Sequence, residues 1–181
     1  MSATDLALFA RILIGLTFAA TVVGKLRDPA SFGDAVDDFK IFVRRAVRPI
    51  ATTLIVAEAA VCVLVALPGP GPVAGLGLGL AGVLLLAYTA ALGTVLARGM
   101  TLGCNCFGAS PRVVSRHDVA RNVLLLCGAI GGLVAYVLAG PHHAYDAARL
   151  TLLAGTATAA TLLLANFADV VETVRKPMSA E

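Results

Sequence analysis

Apolar residues fall along this chain in long runs instead of alternating with polar ones. Five runs approach the roughly 20 mostly apolar residues that a helix needs to cross the hydrocarbon core: 6–24, 50–67, 73–97, 119–140 and 147–167. The pattern predicts an all-α polytopic bundle of five transmembrane helices, built as a single membrane domain over residues 1–181. Pro49 and Pro68 bound the second run, as suits a helix that stops at both interfaces. Pro68-Gly69-Pro70-Gly71-Pro72 then leaves so short a connector that the second and third spans should be antiparallel neighbours. The leader before the first run lacks a basic segment, so that run is expected to stay as an anchor and not to be removed as a secretory signal.

Between the first two runs the pattern changes. Phe32, Val36, Phe39, Val43 and Val47 recur at spacings of four, three, four and four, which draws one apolar stripe on a helix. This predicts an amphipathic helix over about residues 29–48, lying in the interface. Asp28 is placed to cap it, Pro29 to open it and Pro49 to end it. Gly75, Gly79 and Gly82 in the third run, with Gly128 and Gly132 in the fourth, mark faces where helix backbones can approach closely.

Composition excludes the soluble alternatives. Hydrophobic residues make up 59% and charged residues 14%, against roughly 45–50% and 25% in soluble domains. A net charge of +3, scattered along the chain, gives no nucleic-acid footprint. The placement of charge does carry information. Lys25, Arg27, Lys40, Arg44, Arg45 and Arg48 follow the first span, Arg98, Arg112, Arg116 and Arg121 lie between the third and fourth, and Arg175 and Lys176 follow the fifth. Arg149 alone stands clearly on the other side, and Arg11 falls inside the first span. The positive-inside rule then sets the N-terminus outside and the C-terminus in the cytoplasm of a plasma (inner) membrane.

The most specific local feature is Gly103-Cys104-Asn105-Cys106-Phe107-Gly108, between the third and fourth spans. Two thiols one residue apart can close a small, strained disulfide, and strained disulfides sit at the oxidising, labile end of the scale. Arg98, Arg112 and Arg116 nearby favour the thiolate, which is the nucleophile. Two unrelated loop cysteines are the bland alternative. A soft metal site with His117 is another, lacking a fourth ligand and the usual zinc spacing, and no metal is assigned. Cys62 and Cys127, inside the second and fourth spans, read first as small hydrophobes. Should their helices face each other, they are a relay for disulfide exchange with the loop.

Ionisable groups inside a membrane are costly and mark function by default. Lys25 closes the first span, where snorkelling to the interface is the favoured reading. Glu58 lies too deep in the second span to snorkel and must be protonated or paired, with Lys25 or Arg121 as partner. Arg121-Asn122 opens the fourth span on the side of the cysteine loop; the arginine there is either a basic anchor or a group holding a thiolate or Glu58. His142-His143 reads as a solvated turn.

Taken together, Gly24-Lys25-Leu26 with Asp28-Pro29, Glu58, Cys104-Asn105-Cys106-Phe107-Gly108 and Arg121-Asn122 resemble the MauE family of methylamine utilisation, within the wider DoxX-like membrane proteins. The resemblance covers about residues 6–140. It implies a redox-associated integral membrane protein that helps form disulfides in an exported client, such as a quinone-cofactor amine dehydrogenase, together with a thioredoxin-like protein. It also implies that Cys104 and Cys106 are the exchanging pair and that Arg121 and Asn122 shape their loop. The leading reading is a membrane thiol-disulfide oxidoreductase whose electrons pass to or from a quinone or another thiol protein. The alternatives are a non-catalytic scaffold that docks a partner, and a small-solute carrier using Glu58 and Lys25, for which no inverted repeat is visible. The charge distribution sets the loop on the cytoplasmic side, whereas an exported client calls for the outer side.

Overall fold

The computed structural model describes residues 2–40, 43–67, 72–99, 103–104, 112–139 and 147–166. These form α1 (Ala3–Arg27), α2 (Pro29–Asp38), α3 (Arg44–Ala66), α4 (Val73–Ala97), a two-residue antiparallel ladder of β1 (Gly103–Cys104) on β2 (Arg112–Val113), α5 (Arg116–Ala139) and α6 (Ala147–Ala165). All of these helices except α2 are long and apolar enough to cross a membrane, so the five expected spans are present. The outward faces agree: Val137, Leu138, Leu152 and Leu162 are mostly exposed, as side chains meeting lipid should be.

The helix starts follow local chemistry. At the head of α1 the Ser2 hydroxyl accepts from the Asp5 amide at 3.3 Å while the Asp5 carboxylate accepts from the Ser2 amide at 2.9 Å, a reciprocal capping box. Asp28 accepts from the Ser31 amide at 3.0 Å, and Pro29 opens α2, as the sequence predicts.

The amphipathic helix is shorter than expected, however. It stops at Asp38, Lys40 takes a left-handed backbone conformation with φ of 51°, and α3 begins at Arg44 with Pro49 inside it. Burial explains the break. In one continuous helix Phe32 and Val47 would lie about 22 Å apart along the axis (15 residues at 1.5 Å). The turn instead folds α2 back so that Phe32 and Val36 bury against Val47 and Ala51. Val43, counted in the stripe, is left 76% exposed. Pro49 is tolerated because the carbonyl it leaves unpaired, that of Arg45, lies in the exposed first turn, where water can reach it.

Helix α1 is the hub, packing on α5, α3 and α6, while α4 closes the bundle against α5 and α3. The main core gathers Ile14 and Phe18 of α1, Val61 and Val65 of α3, Leu78 and Leu85 of α4, and Leu125 and Ala129 of α5. Glycine permits two of the close approaches: a Cβ at Gly132 would collide with that of Ala10, and one at Gly77 would press on Leu64 and Val65. Gly75 packs on Tyr136, whereas Gly79, Gly82 and Gly128 of the expected packing faces have nothing within 4 Å of where a Cβ would stand. Arg11, unexplained from sequence, turns its guanidinium to the end of α3 and donates to the Val65 carbonyl at 2.9 and 3.1 Å and to that of Leu67 at 3.0 Å. It thereby satisfies carbonyls that a helix C-terminus leaves open. Helix α6 is the loosest element, burying Ala157 and Thr161 and tied to the head of α1 by Arg149 on Asp5 at 2.6 Å.

Candidate functional site

Glu58 lies on α3 level with Thr21 of α1, about 9 Å below the Arg27 end of that helix (six residues at 1.5 Å). It is 1% exposed. Its Oε1 accepts from the Lys25 ammonium and from the Tyr88 hydroxyl, the latter at 2.5 Å; its Oε2 accepts from the Thr21 hydroxyl at 3.4 Å. Lys25 sits one turn beyond Thr21 and reaches back along α1, the direction in which helical side chains lean. Its Nζ lies 3.5 Å from the Tyr88 hydroxyl, 4.6 Å from the centre of the Phe32 ring and 5.0 Å from that of Tyr88. Four helices thus converge on one ion pair: α1 gives Lys25 and Thr21, α2 Phe32, α3 Glu58 and α4 Tyr88.

This corrects the favoured reading of Lys25. It does not snorkel to the interface but turns inward at 3% exposure, because a fully buried carboxylate and two aromatic faces offer its charge more than a partly wet headgroup region does. It also selects between the two candidate partners of Glu58. Lys25 is the partner, while Arg121 lies 3.9 Å from Asp118, one turn back on its own helix.

Beside the ion pair is a cavity of about 130 Å³ between α1, α3, α4 and α5, roofed by Phe32, Val36 and Phe39. Its walls are mainly aliphatic and aromatic, with Lys25, Glu58, Tyr88, Arg121 and Asn122 as polar points. Arg121 and Asn122 are both buried, so the start of α5 faces into the bundle.

The cysteines divide. The backbone of Cys104 lies in β1 paired with Arg112, and two residues beyond Arg112 the chain is anchored by Val114, buried against Leu92 and Val95 of α4. The loop therefore leaves and re-enters the bundle at the end that holds the cavity. Cys106 and His142-His143 lie outside the described residues. Cys62 is half-buried on α3 with its thiol 3.9 Å from the Gly15 carbonyl, and Cys127 is exposed on α5. Helices α3 and α5 pack on α1 and α4 rather than on one another, so the facing that a Cys62–Cys127 relay required is not formed. Sequence reasoning missed Tyr88 and Thr21. A lone tyrosine inside the run Leu84-Leu85-Leu86-Ala87-Tyr88 was the available signal, since a buried phenol needs a hydrogen-bond partner.

Comparison with known proteins gives the family of the chain. The family described as "Methylamine utilisation protein MauE" matches residues 3–135, which hold the ion pair, the cavity and the cysteine loop. The chain is 36% identical over 150 residues to the "Methylamine utilization protein MauE" of Paracoccus denitrificans, covering 81% of this chain and 78% of that protein. No solved structure matches it. With spanning helices and a family match over most of its length, the chain is a multi-pass integral membrane protein that belongs to the MauE family.

Proposed function

We propose that this protein is an accessory of methylamine utilisation in the plasma (inner) membrane, and that it supports maturation of an exported partner by thiol-disulfide exchange at Cys104 and Cys106. The observation that carries the reading is how the chain on either side of the cysteine loop is held: β1 pairs with β2, and Val114 just beyond β2 buries against Leu92, a residue that also lines the cavity. A free tether would need none of these.

In the exchange, a thiolate of the partner attacks one sulfur of the Cys104–Cys106 disulfide. The S–S bond breaks and a mixed disulfide forms; the partner's second thiol then displaces the loop sulfur. The partner leaves as a disulfide, and Cys104 and Cys106 are left as a dithiol. A thioredoxin-like protein is the natural carrier between the loop and the client. Arg121 and Asn122, at the buried start of α5, position the returning limb of the loop.

The bias of basic residues toward the loop end of the bundle supports a cytoplasmic loop and an N-terminus outside, against the outer side that an exported client calls for. A membrane-impermeant maleimide applied to cells carrying a variant with only Cys104 and Cys106 tests side and redox state together. Labelling that requires both opened cells and prior reduction is the expected result. Labelling of intact cells after reduction overturns the orientation. Thiols free at all times, or full client maturation in a Cys104→Ala, Cys106→Ala variant, overturn the exchange in favour of a non-catalytic scaffold.

A further inference from the structure

Thiol exchange uses the loop and leaves the cavity unexplained. That cavity is mainly apolar in its lining and has two polar poles, Lys25 with Glu58 and Tyr88 at one and Asn122 beside Arg121 at the other. At the first, Lys25 has three N–H donors: one meets Glu58, one points toward the Tyr88 hydroxyl 3.5 Å away, and the third has no acceptor among the described residues. At the second, Asn122 is 7% exposed and lines the cavity, yet its side-chain amide makes no hydrogen bond among the described residues. Buried amides are normally paired, so one facing open space marks a position that a bound molecule completes. The first pole is built on α1, α3 and α4 and the second on α5, with the rings of Phe18, Phe32 and Phe39 lining the space.

The occupant must therefore be apolar over most of its surface, flat enough to lie against aromatic rings, and furnished with oxygens that can accept hydrogen bonds from two walls. It must also reach a site that is walled by membrane-spanning helices. We propose that the cavity binds the head group of a lipid-soluble quinone, with its two carbonyl oxygens toward Lys25 and Asn122, as acceptor for the loop dithiol. The inference rests on the thiol-disulfide reading above and supplies what that reading lacks, a way to restore the disulfide. In the step, the two S–H bonds of Cys104 and Cys106 break and an S–S bond forms. The electron pair and two protons pass to the quinone, whose carbonyls become the hydroxyls of a hydroquinone.

The test uses reduced, full-length protein in lipid nanodiscs with a photoreactive azido-benzoquinone as probe and decylubiquinone as competitor. The expected adduct maps to residues lining the cavity, such as Phe39 or Leu125, and is displaced by the competitor. Asn122→Leu should weaken that displacement roughly tenfold, about the loss of one hydrogen bond. Ala91→Phe, which fills the space from the α4 wall, should abolish labelling. Adducts confined to other surfaces, or labelling that ignores both variants, overturn the proposal. A mass-shift assay for free thiols on the same samples separates the two readings. Thiols that exchange with a dithiol peptide but are not oxidised by decylubiquinone overturn the quinone step and leave the exchange standing. A labelled cavity beside thiols that never exchange overturns the exchange, and with it the electron transfer.

Discussion

The two ends of the bundle handle buried charge in different ways. At the end where α1 begins, Arg11 directs its donors to the terminal carbonyls of α3, and Arg149 meets Asp5 while remaining 52% exposed at its side chain. Each charge there closes a helix end or fastens a neighbour. At the other end Lys25 and Glu58 are 2% and 1% exposed at their side chains, deeper than any helix terminus requires, and they border a cavity. The difference separates staples from sites: the same residue types serve as fasteners where they hold helix ends together, and as a site where hydrogen-bonding capacity is left over beside room for a ligand.

Breaking the comparison at its strongest point gives the largest effect. Lys25→Met should lower stability by about 3–5 kcal/mol, because it strands a carboxylate in the core. The double variant Lys25→Met, Glu58→Leu should recover most of that loss, as paired buried ions are often replaceable by apolar side chains. Thermal unfolding in detergent measures both, and a double variant no better than the single would show that the pair acts separately on the fold. Next comes Arg11→Leu, expected to cost about 1.5–3 kcal/mol through charge-assisted hydrogen bonds lost from the end of α3. Hydrogen exchange at the last turn of α3 should rise in that variant while the region around Glu58 stays protected. Arg149→Gln should have the smallest effect, shrinking further in high salt because the guanidinium is half exposed. A drop as large as that of Lys25→Met would erase the distinction between the two ends.

The sequence made the spans legible because bilayer thickness imposes a length and an apolar content that few other pressures mimic. The capping of α2 by Asp28 was legible for a similar reason, since the signal is local. What stayed hidden depended on contacts distant in sequence. A stripe that fits one helix can equally be cut in two when its halves bury against each other, as Phe32 does on Val47. Glu58 announced itself by depth, but choosing Lys25 over Arg121 needed the register of α1 against α3, which no periodicity encodes. Tyr88 stayed silent because a tyrosine in an apolar run reads as bulk until the carboxylate 2.5 Å from its hydroxyl is seen. Cys62 and Cys127 invited a relay by their depth alone; helix order keeps them apart.

The loose attachment of α6 bears on how the protein is made. Every wall of the cavity is supplied by residues up to Leu125, and the family match itself ends at residue 135. All residues of that lining are therefore made before the last helix. A chain stopped after Ala139 keeps four spans in place of five, so its carboxyl end emerges on the opposite side of the bilayer from that of the full-length chain. Reporter fusions at the two lengths should give opposite signals, with the interior chamber intact in both.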